Sequence, residues 1–258
     1  MARSFLIRGM ICGVIAGVLV FLYAHFLGEP NVDGAIGVEE AIAKAAGEME
    51  MPELVSRDVQ SGLGLFTGVM AYSIAIGGLF SLLYAFAWGR LGKLGARASA
   101  ALLAVACFVA VYLVPFLKYP ANPPSVGNHD TIQIRTALYF GMIVISIAAM
   151  IAAVNLGRAL LQRWGVWYAS ITGATIYLLL VLLAYWVMPA IDEVPSAFPA
   201  SLLWSFRLNA LAIQVLLWTG LALSFGELTA RSLKLRIRTY VAHGVIRLCD
   251  GLIRLNLR

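Results

Sequence analysis

The chain has 258 residues, of which 61% are hydrophobic and only 12% charged, with a net charge of +6 and a mean hydropathy of +0.87. A water-soluble domain carries about 25% charged residues, so a soluble fold is excluded. The excess positive charge lies outside the apolar runs and is a signal of membrane topology, so no nucleic-acid partner is expected.

The apolar residues fall in six blocks, at 5–27, 62–88, 98–116, 136–156, 166–188 and 208–226. Each approaches the ~20 residues a helix needs to cross a bilayer. Only Arg8 places a formal charge inside a block. Lipid offers the backbone no hydrogen-bond partners, so the blocks are expected to be helices. The fold class is therefore all-α, a polytopic membrane helix bundle of about six spans. The third and sixth blocks are the shortest, and Pro115 sits in the last turn of the third, which keeps five spans as the alternative.

The first block is too long for the ~7–15 apolar residues of a secretory signal, and no A-x-A-like site follows it, so it reads as an uncleaved anchor. Gly9, Gly13 and Gly17 form a smooth stripe suited to close helix packing, with a groove for passage as the second reading. His25, Glu29 and Asp33 follow, and Pro30 is expected to turn the chain. Imidazole with carboxylate suits borderline divalent ions such as Co²⁺, Ni²⁺ or Zn²⁺. A structural hydrogen bond is the alternative role for His25. Beyond Pro30, Val38, Ala41, Ile42 and Ala45 share one face of a short helix expected to lie along the membrane surface, ended by Met51-Pro52. Ser56 is placed to cap a helix running through Arg57, Asp58 and Gln60 into the second span.

Between the third and fourth spans lies Lys118-Tyr-Pro-Ala-Asn-Pro-Pro-Ser-Val-Gly-Asn-His-Asp-Thr. Its prolines and asparagines predict a rigid, irregular loop. His129 and Asp130 are either further metal ligands or a turn in which Asp130 caps the fourth span through Thr131. Pro189, Pro195 and Pro199 precede Arg207 in the loop before the sixth span. Lys118, Arg135 and Arg207 are expected to pin these loops through carboxylates, because cations repel a cationic ligand. The tail, 228–258, mixes apolar and basic residues at helical spacing and reads as a basic amphipathic cytoplasmic segment lying against lipid, or docking a partner. It follows a transmembrane domain assigned to residues 1–227. The three cysteines, Cys12, Cys107 and Cys249, make no metal or redox spacing.

Charge is segregated. Fourteen of the 19 basic residues flank the blocks on one side, and 11 of the 13 acids lie in the loops on the other. The positive-inside rule then puts both termini in the cytoplasm. No carboxylate lies mid-span, no nucleophile–base pair marks an intramembrane hydrolase, and no phosphate-binding glycine loop is present. No enzyme activity and no permanently bound cofactor are expected.

Three stretches carry a family resemblance: His25…Gly28-Glu29-Pro30-Asn-Val-Asp33-Gly-Ala35-Ile36…Glu39-Glu40; Val114-Pro115-Phe-Leu-Lys118-Tyr119-Pro120-Ala-Asn122-Pro123-Pro124-Ser-Val-Gly127; and Phe198-Pro199-Ala-Ser-Leu-Leu-Trp204-Ser-Phe206-Arg207. With Gly77-Gly78 and Gly89-Arg90, they give a chain that resembles the CbtA family of cobalt transporter subunits from bacterial membranes. The resemblance implies Co²⁺ as substrate, a link to cobalamin synthesis, and a small histidine-rich single-span partner, CbtB. It places the chain in the bacterial inner membrane. The expected metal residues are His25, Glu29 and Asp33, assisted by His129 and Asp130. The alternative is a non-transporting scaffold or accessory subunit that stabilises a partner complex.

Overall fold

The computed structural model describes residues 2–47, 55–92, 94–124 and 126–255. All regular structure among them is helical. The first composite helix is α1 (Ala2–Tyr23), a π-turn (Ala24–Gly28) and α2 (Glu29–Ala46). The second is α3 (Arg57–Val59), a π-turn (Gln60–Gly64) and α4 (Leu65–Ala87). The third is α5 (Ala96–Cys107), a π-turn (Phe108–Leu113) and α6 (Val114–Lys118). A 3-10 turn (His129–Thr131) leads into α7 (Ile132–Val187), and α8 (Ala200–Leu255) completes the bundle.

Five helices are long and apolar enough to cross a membrane: Arg3–Ala45, Arg57–Ala87, Ala96–Lys118, Ile132–Val187 and Ala200–Lys234. Both short blocks are among them. The count of five arises at α7, where the fourth and fifth blocks are joined across Gly165, whose φ of 72° and ψ of 172° are not helical. That conformation is accessible essentially only to glycine. The two arms, 132–164 and 166–187, lie antiparallel. Ser146 Oγ and Tyr177 Oη are hydrogen-bonded at 2.8 Å, and a Cβ on Gly173 would lie 3.2 Å from Ala153 O. The helical run of α7 is therefore a hairpin with two arms of membrane length.

Burying apolar surface does not drive association between helices in lipid; close van der Waals packing does. The glycine stripe of α1 supplies it. A Cβ on Gly13 would collide with Ser73 O and Ile74 Cα of α4, and Gly77 returns the contact against Gly9 and Gly13. The backbones touch along this seam, so the stripe is closed by α4 and leaves no groove for passage. Gly220 of α8 meets Ala16 on the next face of α1. Around this seam, Phe5, Cys12, Ala16, Phe80, Tyr84 and Phe225 form the main core. Phe225 packs edge-on to Tyr84 and Phe80, with ring centroids 4.9 and 5.4 Å away. The α7 hairpin leans on the third span through a smaller cluster of Val114, Met142, Val181 and Ala184.

One expectation is overturned: Pro30 does not turn the chain, and α2 does not form a separate surface helix. The helix runs on from α1 because the π-turn slips the hydrogen-bond ladder by one residue, Glu29 N–H bonding to Ala24 O. The N–H that proline lacks falls where the ladder is already displaced. The side-chain amide of Asn31 donates to the Leu27 carbonyl at 3.0 Å. The expected stop at Met51-Pro52 lies outside the described residues.

The two ends of the bundle differ in charge. At one end Arg8 donates to Ser232, Arg97 and Arg231 share Glu227 at 2.7 and 2.6 Å, and Arg158 donates to Arg90 O at 3.1 Å. The acidic loops gather at the other end. Past residue 227, α8 continues as helix to Leu255. The amphipathic side-chain pattern expected beyond residue 234 lies outside the described residues.

Candidate functional site

The acidic end is built by three segments. α2 projects from the first span, and the 119–131 and 188–199 loops fold over it. Ala35 of α2, Val126 and Phe198 form a small buried cluster between them. Lys118 Nζ donates to Tyr185 O at 2.8 Å, and Tyr119 Oη to Pro189 O at 2.8 Å. Arg207 donates to Asn122 Oδ1 at 2.9 Å and to Ala121 O at 3.3 Å. These contacts account for the unusual Lys-Tyr-Pro-Ala-Asn run, which staples one loop to the other. The expectation that Lys118 and Arg207 act through carboxylates is thus corrected. Their acceptors are instead the backbone carbonyls of Tyr185 and Ala121 and the side-chain amide of Asn122. Only Arg135 uses a carboxylate, Glu193, at 3.5 Å.

Asp130 does not cap the fourth span: Thr131 occupies its N-cap position without a side-chain capping bond. At the head of the preceding 3-10 turn the Asn128 side chain accepts from Asp130 N at 3.0 Å, while the Asn128 carbonyl accepts from Thr131 Oγ1 at 2.9 Å. The Asp130 side chain is exposed. Glu193 accepts from Asn128 N at 2.9 Å. The Thr131 hydroxyl, that backbone N–H and the Arg135 guanidinium together hold its carboxyl below the usual carboxylate range. At the second span Ser56 occupies the N-cap position, but its side chain makes no capping bond.

His25, Glu29 and Asp33 all face the start of the second span. His25 Nδ1 lies 3.0 Å from Ser61 O. A carbonyl only accepts, so Nδ1 carries the proton, and Nε2 is the ring nitrogen left to bind an ion through its lone pair. Metal-ligating histidines are held in this way, one nitrogen donating to a carbonyl and the other bound to the ion. Phe21 stacks on the ring at 5.6 Å and Phe26 meets its edge at 5.0 Å. One turn before Ser61, Arg57 donates from Nη2 to Glu29 and from Nε to Asp33, the latter at 2.8 Å. The two residues of each helix that make these contacts are four apart and match in antiparallel order, 25 with 61 and 29 with 57. Two π-turns, 24–28 and 60–64, stand opposite each other at this level.

The structure therefore brings His25, Glu29 and Asp33 onto one strip. Among the described residues no hydrogen bond or ion pair joins Asp130 to them, and the side chain of His129 lies outside what is described. Among the described residues, no three His, Cys, Asp or Glu side chains form a compact ligand group. Sequence reasoning missed Arg57, which it placed only as part of a helix start. The signal was there, since Arg57 is the sole arginine in the acidic 28–61 segment. Towards the basic end, a cavity of about 390 Å³ opens between α1, α4 and α8, lined by Val20, Gly68, Leu217 and others. Its polar groups are Tyr72 and Gln214, 3.4 Å apart, and walls so apolar suit a bare divalent ion poorly.

No curated protein and no solved structure matches the chain. The family described as a probable cobalt transporter subunit, CbtA, matches residues 2–230, and the protein belongs to that family.

Proposed function

We propose that the chain is the membrane subunit of a Co²⁺ uptake system in the bacterial inner membrane, feeding cobalamin synthesis, with both termini and the basic end in the cytoplasm. In this reading α7 crosses twice, giving six spans. Lipid surrounds the bundle, and a small histidine-rich single-span protein of the CbtB kind completes the transporter. The ion is captured at the acidic end by Glu29, Asp33 and Nε2 of His25. Asp130 and His129, on the loop folded over α2, add negative charge and a further ligand at the entrance. The protein performs no covalent chemistry, and the ion is its cargo.

The observation that carries this reading is the His25–Ser61 hydrogen bond. It fixes the tautomer whose free nitrogen can bind a divalent ion, on the strip that also carries Glu29 and Asp33. Replacing His25 and Glu29 together with alanine is expected to abolish Co²⁺-dependent uptake by cells, with protein levels checked in the membrane fraction. Unchanged uptake would remove both residues from the site and favour an accessory subunit that stabilises a partner complex.

A further inference from the structure

We propose that Arg57 is a tethered competitor for the transported ion, so that the cation enters by exchange with a guanidinium and not by addition to free carboxylates. The inference rests on the capture site described above and concerns how that site is controlled.

Arg57 uses two different nitrogens of its guanidinium on two different carboxylates, Nη2 on Glu29 and Nε on Asp33. The carboxylates are four residues apart on α2, and the planar fork spans them as a single cation would. Lysine, a point charge with no fork, cannot reproduce this. Exposure differs along the clamp: the side chain of Glu29 is 13% exposed, that of Arg57 26% and that of Asp33 60%. Glu29 without Arg57 is therefore a largely covered carboxylate that has lost the counter-charge of the clamp, a position open to another cation. Asp33, the exposed partner, is the natural point of first contact.

The exchange has a simple charge balance. With Arg57 in place the two carboxylates and the guanidinium sum to one negative charge, which attracts a cation without offering it a vacant site. A divalent ion neutralises both carboxylates and releases Arg57 towards water. A monovalent ion of equal reach only replaces one positive charge with another and gains nothing over the resident guanidinium. The clamp thereby selects for divalent charge. Both chain segments that carry it adjoin π-turns, 24–28 and 60–64, a helix irregularity frequent at functional sites.

The test is equilibrium binding of Co²⁺ alone to the purified full-length chain, by calorimetry with elemental analysis of bound metal. Arg57→Ala is expected to bind Co²⁺ at least about tenfold more tightly than the parent, since charge-assisted hydrogen bonds no longer compete. Added methylguanidinium is expected to return the variant towards parental affinity, an effect that a merely structural arginine would not produce. Arg57→Lys, which keeps the charge if the alanine variant fails to fold, is expected to fall between the two. Equal or weaker binding by both variants, while Glu29→Gln with Asp33→Asn abolishes binding, would overturn the clamp and leave the capture site standing. Binding unaffected by that double carboxylate variant, or absent from parent and Arg57→Ala alike, would overturn the capture site and the clamp with it.

Discussion

The same two composite helices meet twice, in opposite ways. Through the apolar part of the bundle, α1 and α4 touch backbone to backbone along Gly9, Gly13 and Gly77, with Ser73 and Ser81 filling the remaining space. At the acidic end, their continuations meet through one imidazole–carbonyl hydrogen bond and one arginine bridging two carboxylates. The first contact is steric and has no alternative state, because close-packed backbone admits neither water nor ion. The second is electrostatic and partly exposed, and in the proposed exchange a divalent cation takes the place of the guanidinium. The seam fixes the rotation of the helices, and that rotation aims His25, Glu29 and Asp33 at Arg57 and Ser61. Rigidity in one place thus holds the partners of the proposed exchange in register in the other.

The largest expected effect comes from breaking the seam. Gly13→Leu places a side chain into Ser73 O and Ile74 Cα and is expected to cost about 3 kcal/mol or to prevent folding. Gly68→Leu, on the same helix pair but with nothing within 4 Å of its Cβ position, is expected to stay within about 0.5 kcal/mol of the parent. Thermal unfolding in detergent compares the two, and similar losses would show that the seam is not special.

A smaller effect is expected at the α7 hairpin, which stands apart from both contacts. Gly165→Ala forces a non-glycine residue to a φ of 72° with a ψ of 172°, a strain of about 1–3 kcal/mol. A lowered thermal midpoint with parental Co²⁺ binding would separate the hairpin from the site; parental stability would mean that the bend is not obligatory.

The smallest effect lies in the loops. The Glu193 carboxyl sits below its ordinary value of 4.5 because Thr131, the Asn128 N–H and Arg135 favour its charged form. A depressed carboxyl contributes stability at neutral pH and loses it as pH falls through the folded value. Glu193→Gln is therefore expected to melt slightly earlier than the parent at pH 7, with the difference closing as pH drops below 4.5. A difference that persists in acid would show that Glu193 acts by packing and not by charge.

Much of the fold was legible in the residues themselves. The six apolar blocks all appear as helix, and Gly9, Gly13 and Gly17 make the close packing their spacing announces. Asp33 joins His25 and Glu29 on one strip only because the helix runs on through Pro30, which the residues alone did not predict. Pro30 misled because a proline is read locally as a stop, whereas a π-turn one residue earlier absorbs its missing N–H. Asp130 misled because a 3-10 turn, 129–131, comes before the fourth span and puts Thr131 at its N-cap position. Arg57 was overlooked because its partners lie 24 and 28 residues away, beyond any helical period.

The amino-acid order alone determined the solvent this protein lives in, the helical character of its spans, the polarity of its charge and its membership of the CbtA family. These follow from composition, block length and motif, all of them local or additive. The tertiary structure alone decided which carboxylate meets which cation, and that the 132–187 run is a hairpin. In lipid every face of an apolar helix is equally soluble, so polarity cannot tell a chain which faces to pair. Glycine contacts and backbone irregularities make that choice, and they become visible only when the helices are set side by side.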